Sequence, residues 1–278
     1  MNTPLFNNKG QRMDKEMPLL MGIVNVTPDS FYSNSRIESK DMLLSRVSEM
    51  VAQGVDILDI GGQSTRPGAT RVSEAEEMER VAYAIAMIHK EFSHINMSID
   101  TFYASVANEA LKQGATIVND VTAGMFDPEM LEVVASHKAI FIAMHMRGTP
   151  QTMHQDTNYE DIGREVAFYL EQRRQVCLEK GILDVWIDPG FGFAKTIAQN
   201  YTLLKQLPFL GSLINAPIVV GVSRKSMLWK PLQITPEESL CATTALHLYA
   251  LQKGASILRV HDVKEAKQAI QLHTLLST

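Results

Sequence analysis

The chain has 278 residues, 45% of them hydrophobic and 21% charged, with a formal net charge of −5 at pH 7. That is apolar material for one large α/β domain or two small ones, and it excludes disorder as the ground state. The acidic balance leaves no global basic field to gather nucleic acid or an anionic membrane, so an anionic ligand has to be met by local cations.

Residues 1–16 are too polar for the apolar region of a signal peptide and read as a tail or small hairpin ahead of one domain over 17–278. No apolar stretch approaches the ~20 residues that cross a bilayer. The two cysteines, Cys177 and Cys241, are far apart and have no CxxC partner, which argues against a disulfide framework and fits a reducing cytoplasm. Beyond the tail, short apolar runs recur at 19–26, 55–60, 95–100, 115–120, 139–145, 183–188, 217–223 and 255–260. They are continuous rather than alternating, as strands covered on both faces should be, and a helical pattern follows each. Ser73 with Glu76, Asp127-Pro128, and Thr235-Pro236 with Glu238 carry helix-capping signatures. Gly54, Gly114, Gly181 and Gly254 each close a helical run before a strand, as left-handed C′ residues do. Eight β-then-α units in about 250 residues predict an α/β fold, a (β/α)8 TIM barrel. A doubly wound open sheet is the structural alternative.

The polar residues collect at the ends of the predicted strands. In chain order these are Asn25, Asp59 with Thr65-Arg66-Pro67, Asp100, Asn119 and Asp120, His145, Asp188, Ser223-Arg224-Lys225-Ser226, and Arg259 with His261. One Asp or Asn at a strand end is an ordinary turn former; all eight ends together mark the face where barrels carry chemistry. Arg259 and His261 are two apart, so a continuing strand sends both to one side. With Arg66 and Lys225 they would meet a small, multiply charged anion such as a phosphate or pyrophosphate, unless Arg259 or Arg66 pairs with Asp59 or Asp262. Asp100, Asp188 and Asn119 form a second group, able to accept hydrogen bonds from a flat heterocycle or to hold magnesium or calcium. The stretch over 188–195, DPGFGFAK, lacks Walker A spacing and reads as a flexible loop over a flat ligand, with Phe191 or Phe193 available to pack on it. His145 and His154 hint at a metal pair, but His154 reads as a loop residue without a partner.

The segments NVTPDSF, GGQSTRPG, a strand ending IDT, IVND, MHMRGTPQTM, DPGFGF, SRKS and RVHDV resemble, in this order and over nearly the whole chain, the dihydropteroate synthases of the pterin-binding TIM-barrel family. The resemblance implies an enzyme that joins 6-hydroxymethyl-7,8-dihydropterin diphosphate to p-aminobenzoate, releasing pyrophosphate and 7,8-dihydropteroate in folate synthesis. By matching position it implies a pterin held by Asp100, Asn119, Asp188 and Lys225. Pyrophosphate would lie against Asn25, Arg66, Arg259 and His261, bridged by Mg²⁺ with Asn25 as its protein oxygen. The p-aminobenzoate would lie near Thr65, Pro67, Phe193 and Ser226. Asp100, Lys225 and Arg66 would matter most for rate, and the assembly would be a homodimer through late helices.

Three positions depart from the family's usual motifs. Tyr32-Ser33-Asn34-Ser35-Arg36 stands where SDGG is common, Gln63 where Glu is, and Ala194 where Gly is. The polar stretch over 27–35 reads as a mobile lid carrying Phe31. Two other readings are a pterin-binding methyltransferase module serving a corrinoid and a non-catalytic paralogue. The module would have no use for a pyrophosphate subsite, and only the altered first loop favours the paralogue.

Overall fold

The structure is a computed structural model that describes residues 18–26, 36–63, 72–148 and 156–277. The expected tail over 1–16, the expected lid over 27–35, and Thr65, Arg66, Pro67 and His154 lie outside the described residues.

Among the described residues, eight strands alternate with helices. The first half runs β1 (Leu19–Asn25), α1 (Arg36–Ala52), β2 (Ile57–Gly61), α2 (Glu74–Glu91), β3 (Asn96–Asp100), α3 (Ala104–Lys112), β4 (Ile117–Asp120) and α4 (Met130–Ser136). The second half runs β5 (Ile140–Met144), α5 (Ile162–Glu179), β6 (Val185–Asp188), α6 (Ile197–Lys205), α7 (Leu207–Ile214), β7 (Val219–Val220), α8 (Ser226–Leu232), α9 (Leu240–Gln252), β8 (Ile257–Val260) and α10 (Val263–Ser277). All neighbouring strands are parallel, in the order β6-β5-β4-β3-β2-β1-β8-β7. A parallel bridge between Ile187 and Ile218 joins the two ends, and the Ile187 N–H donates to the Pro217 carbonyl at 3.0 Å. The sheet therefore closes on itself as the predicted TIM barrel, and the open-sheet alternative falls.

Strand 7 is much shorter than the run over 217–223 led us to expect. Up to Ile218 the ladder is regular, its carbonyl accepting from the Ser256 and Ile257 N–H groups at 2.9 and 3.0 Å. Past Val220, the His261 N–H donates at 3.2 Å to the Ser223 hydroxyl instead of to backbone, and Lys225 N–H turns back to the Val222 carbonyl at 3.2 Å. A side chain has replaced a ladder bond, and the strand ends there.

The predicted punctuation is mostly in place. Gly54, Gly114, Gly181 and Gly254 have φ of 86°, 113°, 89° and 95°, a region that costs L-residues a steric clash. Ser73 caps α2 by accepting from the Glu76 N–H, and Thr235 and Glu238 cap each other reciprocally. Asp127 is a correction. Its Oδ1 accepts from the Glu129 N–H at 3.0 Å as a turn, while Oδ2 accepts from the Ala104 N–H at 2.8 Å, so it serves the start of α3 and not α4.

Two apolar compartments follow from the alternation of side chains along each strand. Leu20, Leu58, Val118, Phe141, Ile187 and Leu258 face the helices in the large outer core. Their neighbours Leu19, Met21, Ile57, Ile117, Ile140, Ile142, Trp186, Val219 and Ile257 fill the barrel interior as a separate cluster.

Candidate active site

The inward register continues upward from that cluster. Two residues beyond Ile57, Ile117, Trp186 and Ile257 come Asp59, Asn119, Asp188 and Arg259, while Asp100 pairs across to Asn119 and to Gly61. The same geometry that buries hydrocarbon below thus brings charge together above. Arg259 Nε donates to Asp59 Oδ2 and its Nη2 to Asp100 Oδ2, each at 2.6 Å, so one guanidinium spans strands 2, 3 and 8. Asn119 Nδ2 donates to the same Asp59 oxygen at 3.3 Å. Asp59 is 0% exposed, and its other oxygen, Oδ1, has no hydrogen-bond partner among the described residues.

The electrostatics follow from burial. It pushes Asp100 up to about 7, with Arg259 opposing and Asp59, Asp120 and Asp188 adding to the rise. Burial works against the Arg259 guanidinium, yet Asp59 and Asp100 outweigh it and hold its pKa above the ordinary value. Asp188 is raised by burial as well, against the pull of Lys225 and a 2.7 Å bond from the Gly190 N–H. Lys225 is lowered to about 8 by burial, with Asp188 as its main counter-charge. A Cβ at Gly221 would lie 3.8 Å from Arg259 Cβ and 3.9 Å from Lys225 Nζ, which puts both cations on one side of the mouth.

The loop over 188–195 is a correction to the expectation of flexibility, because its backbone is tied at nearly every residue. Lys195 Nζ donates to the Gly190 and Phe193 carbonyls at 2.9 Å and lies 3.0 Å from His145 Nδ1. Lys225 Nζ donates to the Phe191 carbonyl, Gly192 N–H to Asn200 Oδ1 at 2.7 Å, and the Tyr159 hydroxyl to the Ala194 carbonyl at 3.0 Å. Phe191 is fully buried in the outer core and is no ligand platform. Phe193 is the ring that remains, half-buried, with Lys225 Nζ 4.8 Å from its centroid.

Other predicted residues sit around this centre. Asn25 is exposed at the end of β1 and opposite Gly61 in register. Ser226 is the first residue of α8, whose N-cap is Lys225. Arg224 turns away into an ion pair with Asp262. His261 lies just past the end of β8, its Nδ1 3.0 Å from the Ser223 hydroxyl, so its side chain is placed by that hydroxyl rather than by strand parity. Asp120 faces the helices, building the turn after β4 through bonds of 2.7 Å from the Thr122 and Gly124 N–H groups. Burial lifts it to about 6. Among the described residues, no group of three or more His, Cys, Asp or Glu side chains could hold a metal. His145 is engaged with Lys195 instead.

Two of the motif departures have visible partners. Gln63 donates to the buried Glu77 at 2.6 Å, a bond that a carboxylate at 63 would make only if protonated. Ala194 is fully buried with φ of 50°, a conformation that costs roughly 1–2 kcal/mol relative to glycine-like freedom. The third departure, at Ser33-Asn34-Ser35, lies outside the described residues.

A barrel with this charged centre at the C-terminal ends of its strands has counterparts among known proteins. The family model for pterin binding enzymes matches residues 21–261. A dihydropteroate synthase of Synechocystis is 45% identical over 252 residues, covering 90% of this chain and 86% of that protein. The crystal structure of Yersinia pestis dihydropteroate synthase with a sulfonamide drug complex superposes with a TM-score of 0.91 at 35% identity, covering 99% of each chain. The Thermus thermophilus enzyme in complex with 4-aminobenzoate gives 0.87 at 35% identity, covering 99% of this chain and 100% of that one. The chain belongs to the pterin-binding enzyme family, and within it to the dihydropteroate synthases. These are transferases that condense the pterin diphosphate with p-aminobenzoate to give 7,8-dihydropteroate and pyrophosphate in folate biosynthesis.

Proposed function

We propose that this condensation runs by dissociative substitution at the pterin methylene carbon, on the charged layer that closes the barrel interior. The observation that carries it is the Asp59–Arg259–Asp100 chain with the Asp188–Lys225 pair beside it. Asp100, Asn119 and Asp188 offer acceptors from three rigid strands to the N–H edge of a pterin, with Lys225 donating from the next loop. Loss of pyrophosphate leaves a cation delocalised into the ring. A carboxylate that burial keeps costly even beside Arg259 gains a second counter-charge as that cation develops, so Asp100 interacts more strongly with the transition state than with the ground state.

The leaving group would lie against Asn25, Arg66, Arg259 and His261. With Nε and Nη2 of Arg259 committed to carboxylates, Nη1 is the nitrogen those two bonds leave for a phosphate oxygen. Asn25 offers one exposed, neutral amide oxygen at the rim, of the kind a hard cation takes, and would be the residue that holds Mg²⁺. When bound, the ion would neutralise charge on the leaving group. The p-aminobenzoate would lie near Thr65, Pro67, Phe193 and Ser226. Its aryl amine is unprotonated at neutral pH, so the site has no need of a strong general base.

We infer a homodimer through the late helices, which the exposed Leu272 and Leu276 of α10 support. A reducing cytoplasm fits the free Cys177 and Cys241, and no helix among the described residues is long and apolar enough to cross a membrane. The test of the mechanism is pyrophosphate release from the purified chain with pterin diphosphate, p-aminobenzoate and Mg²⁺. Release that does not depend on p-aminobenzoate would count against the coupling of the two half-sites. Sedimentation equilibrium at micromolar protein tests the assembly, and a monomer would refute it.

A further inference from the structure

We propose that Lys195 is a positioning residue for the aryl-amine half of the site: its side chain fixes the backbone over 190–193 so that the Phe193 ring is held in place at the mouth. This rests on the reading that Phe193 lines the p-aminobenzoate. Lys195 is 7% exposed and touches no part of the Asp59–Arg259–Asp100 chain through a hydrogen bond. Its three contacts are the Gly190 carbonyl, the Phe193 carbonyl and His145 Nδ1.

The clamp requires two donors. An ammonium has three N–H donors for the two carbonyls and His145 Nδ1; a neutral amine has two donors, enough for the two carbonyls, and a lone pair that can accept from the Nδ1–H tautomer of His145. In either form the lysine clamps the loop at both ends of the 190–193 turn and ties that turn to the end of β5. The turn is also seated closely on β5, since a Cβ at Gly190 would lie 2.0 Å from the His145 carbonyl oxygen. From the clamped turn, Phe191 presents its carbonyl to Lys225, and Phe193 places its ring beneath the same amine. Lys195 thus reaches the p-aminobenzoate only through Phe193, while Lys225, the pterin donor, has Asp188 as its main counter-charge with or without the clamp.

The clamp has an electrostatic setting that a measurement can use. Burial lowers Lys195 to about 7, with Asp188 of β6 raising it and Lys225 and Arg147 lowering it further. His145 is pushed down to about 2 by burial and by Lys195 itself, and burial raises Tyr159, whose hydroxyl holds the neighbouring Ala194 carbonyl, to about 12, so both stay neutral at working pH. Raising the pH above neutrality therefore removes the ammonium charge and leaves donors for both carbonyls.

The experiment is steady-state pyrophosphate release by the wild type and by Lys195→Met, varying each substrate against saturating amounts of the other. Lys195→Gln, which keeps an N–H donor for a carbonyl, takes the place of Lys195→Met if that variant does not fold. The expected result is a KM for p-aminobenzoate raised about tenfold, with the KM for the pterin diphosphate changed by less than about twofold, as for a displaced positioning group. The ratio of variant to wild-type KM for p-aminobenzoate should hold within about twofold between pH 6 and pH 9, because a neutral amine keeps both carbonyl bonds. Equal changes in both KM values, no change in either, a ratio that falls to one at pH 9, or failure of both variants to fold would each overturn the inference, leaving Lys195 a purely structural residue. Wild-type release that ignores p-aminobenzoate would instead overturn the reading of the site on which the inference rests.

Discussion

The lower and upper halves of the barrel interior are built from the same strands by the same alternation, and they are opposite in chemistry. Ile57 and Asp59, Ile117 and Asn119, Trp186 and Asp188, Ile257 and Arg259 are pairs two residues apart that share a face. Below, burial is favourable by itself. Above, it is unfavourable for every charge and tolerated because Arg259 and Lys225 answer Asp59, Asp100 and Asp188. The lower layer is thus a source of stability, and the upper one is a set of charges whose balance a substrate can shift.

That contrast can be broken from either side. Asp100→Asn keeps the shape of the upper layer and removes its adjustable charge; it should lower kcat by roughly 10²–10³, measured as pyrophosphate release, while a normal rate would remove Asp100 from the mechanism. Asp59→Ala should cost about 3–5 kcal/mol of stability in urea unfolding, because it removes the fully buried carboxylate and leaves the half-buried Arg259 with one of its two counter-charges. A smaller effect separates the layers by pH. The pKa of Asp100 is raised on folding from 3.8 to about 7, so its contribution is fully present below the unfolded value and is lost as pH rises through the folded one. Urea titrations at pH 4 and pH 7 should accordingly show the wild type losing stability relative to Asp100→Asn as the pH rises. The smallest effect belongs to the lower layer. Ile257→Val should cost about 0.5–1.5 kcal/mol and leave turnover unchanged, and a substantial loss of kcat there would show that the two halves are not independent.

The contrast also explains what could be read in the sequence. Strand ends are local features, so Asn25, Asp100, Asn119 and Asp188 stand out from turn chemistry and apolar runs alone. Which carboxylates Arg259 meets depends on which strands lie beside β8, and the order β3-β2-β1-β8 brings two of its nitrogens to Asp59 and Asp100. Asp59 is visible as a polar residue near the end of a strand, but its place inside the barrel depends on β2 continuing through Gly61. Lys195 had the weakest signal. Its partners are two carbonyls and a histidine fifty residues away, and carbonyls leave no trace in a side-chain pattern. Its position at the close of a glycine-bearing loop, just before the Thr196–Gln199 capping box of α6, is the cue that could have found it.

The two-residue seventh strand has a consequence for motion. Five of the eight strand boundaries share four or five backbone pairs and β3–β4 shares three, whereas β7 offers two pairs to β8 and a single bridge to β6. Asp188 leaves from one side of that seam and Lys225 follows from the other. Local opening in the native state should begin there, and the Ile187 amide, bonded across the seam to Pro217, should exchange its hydrogen sooner than the amides in the middle of β2. Breathing of the barrel wall and separation of the Asp188–Lys225 pair would then be one event, so that a ligand bridging the two would slow exchange in the wall beneath it.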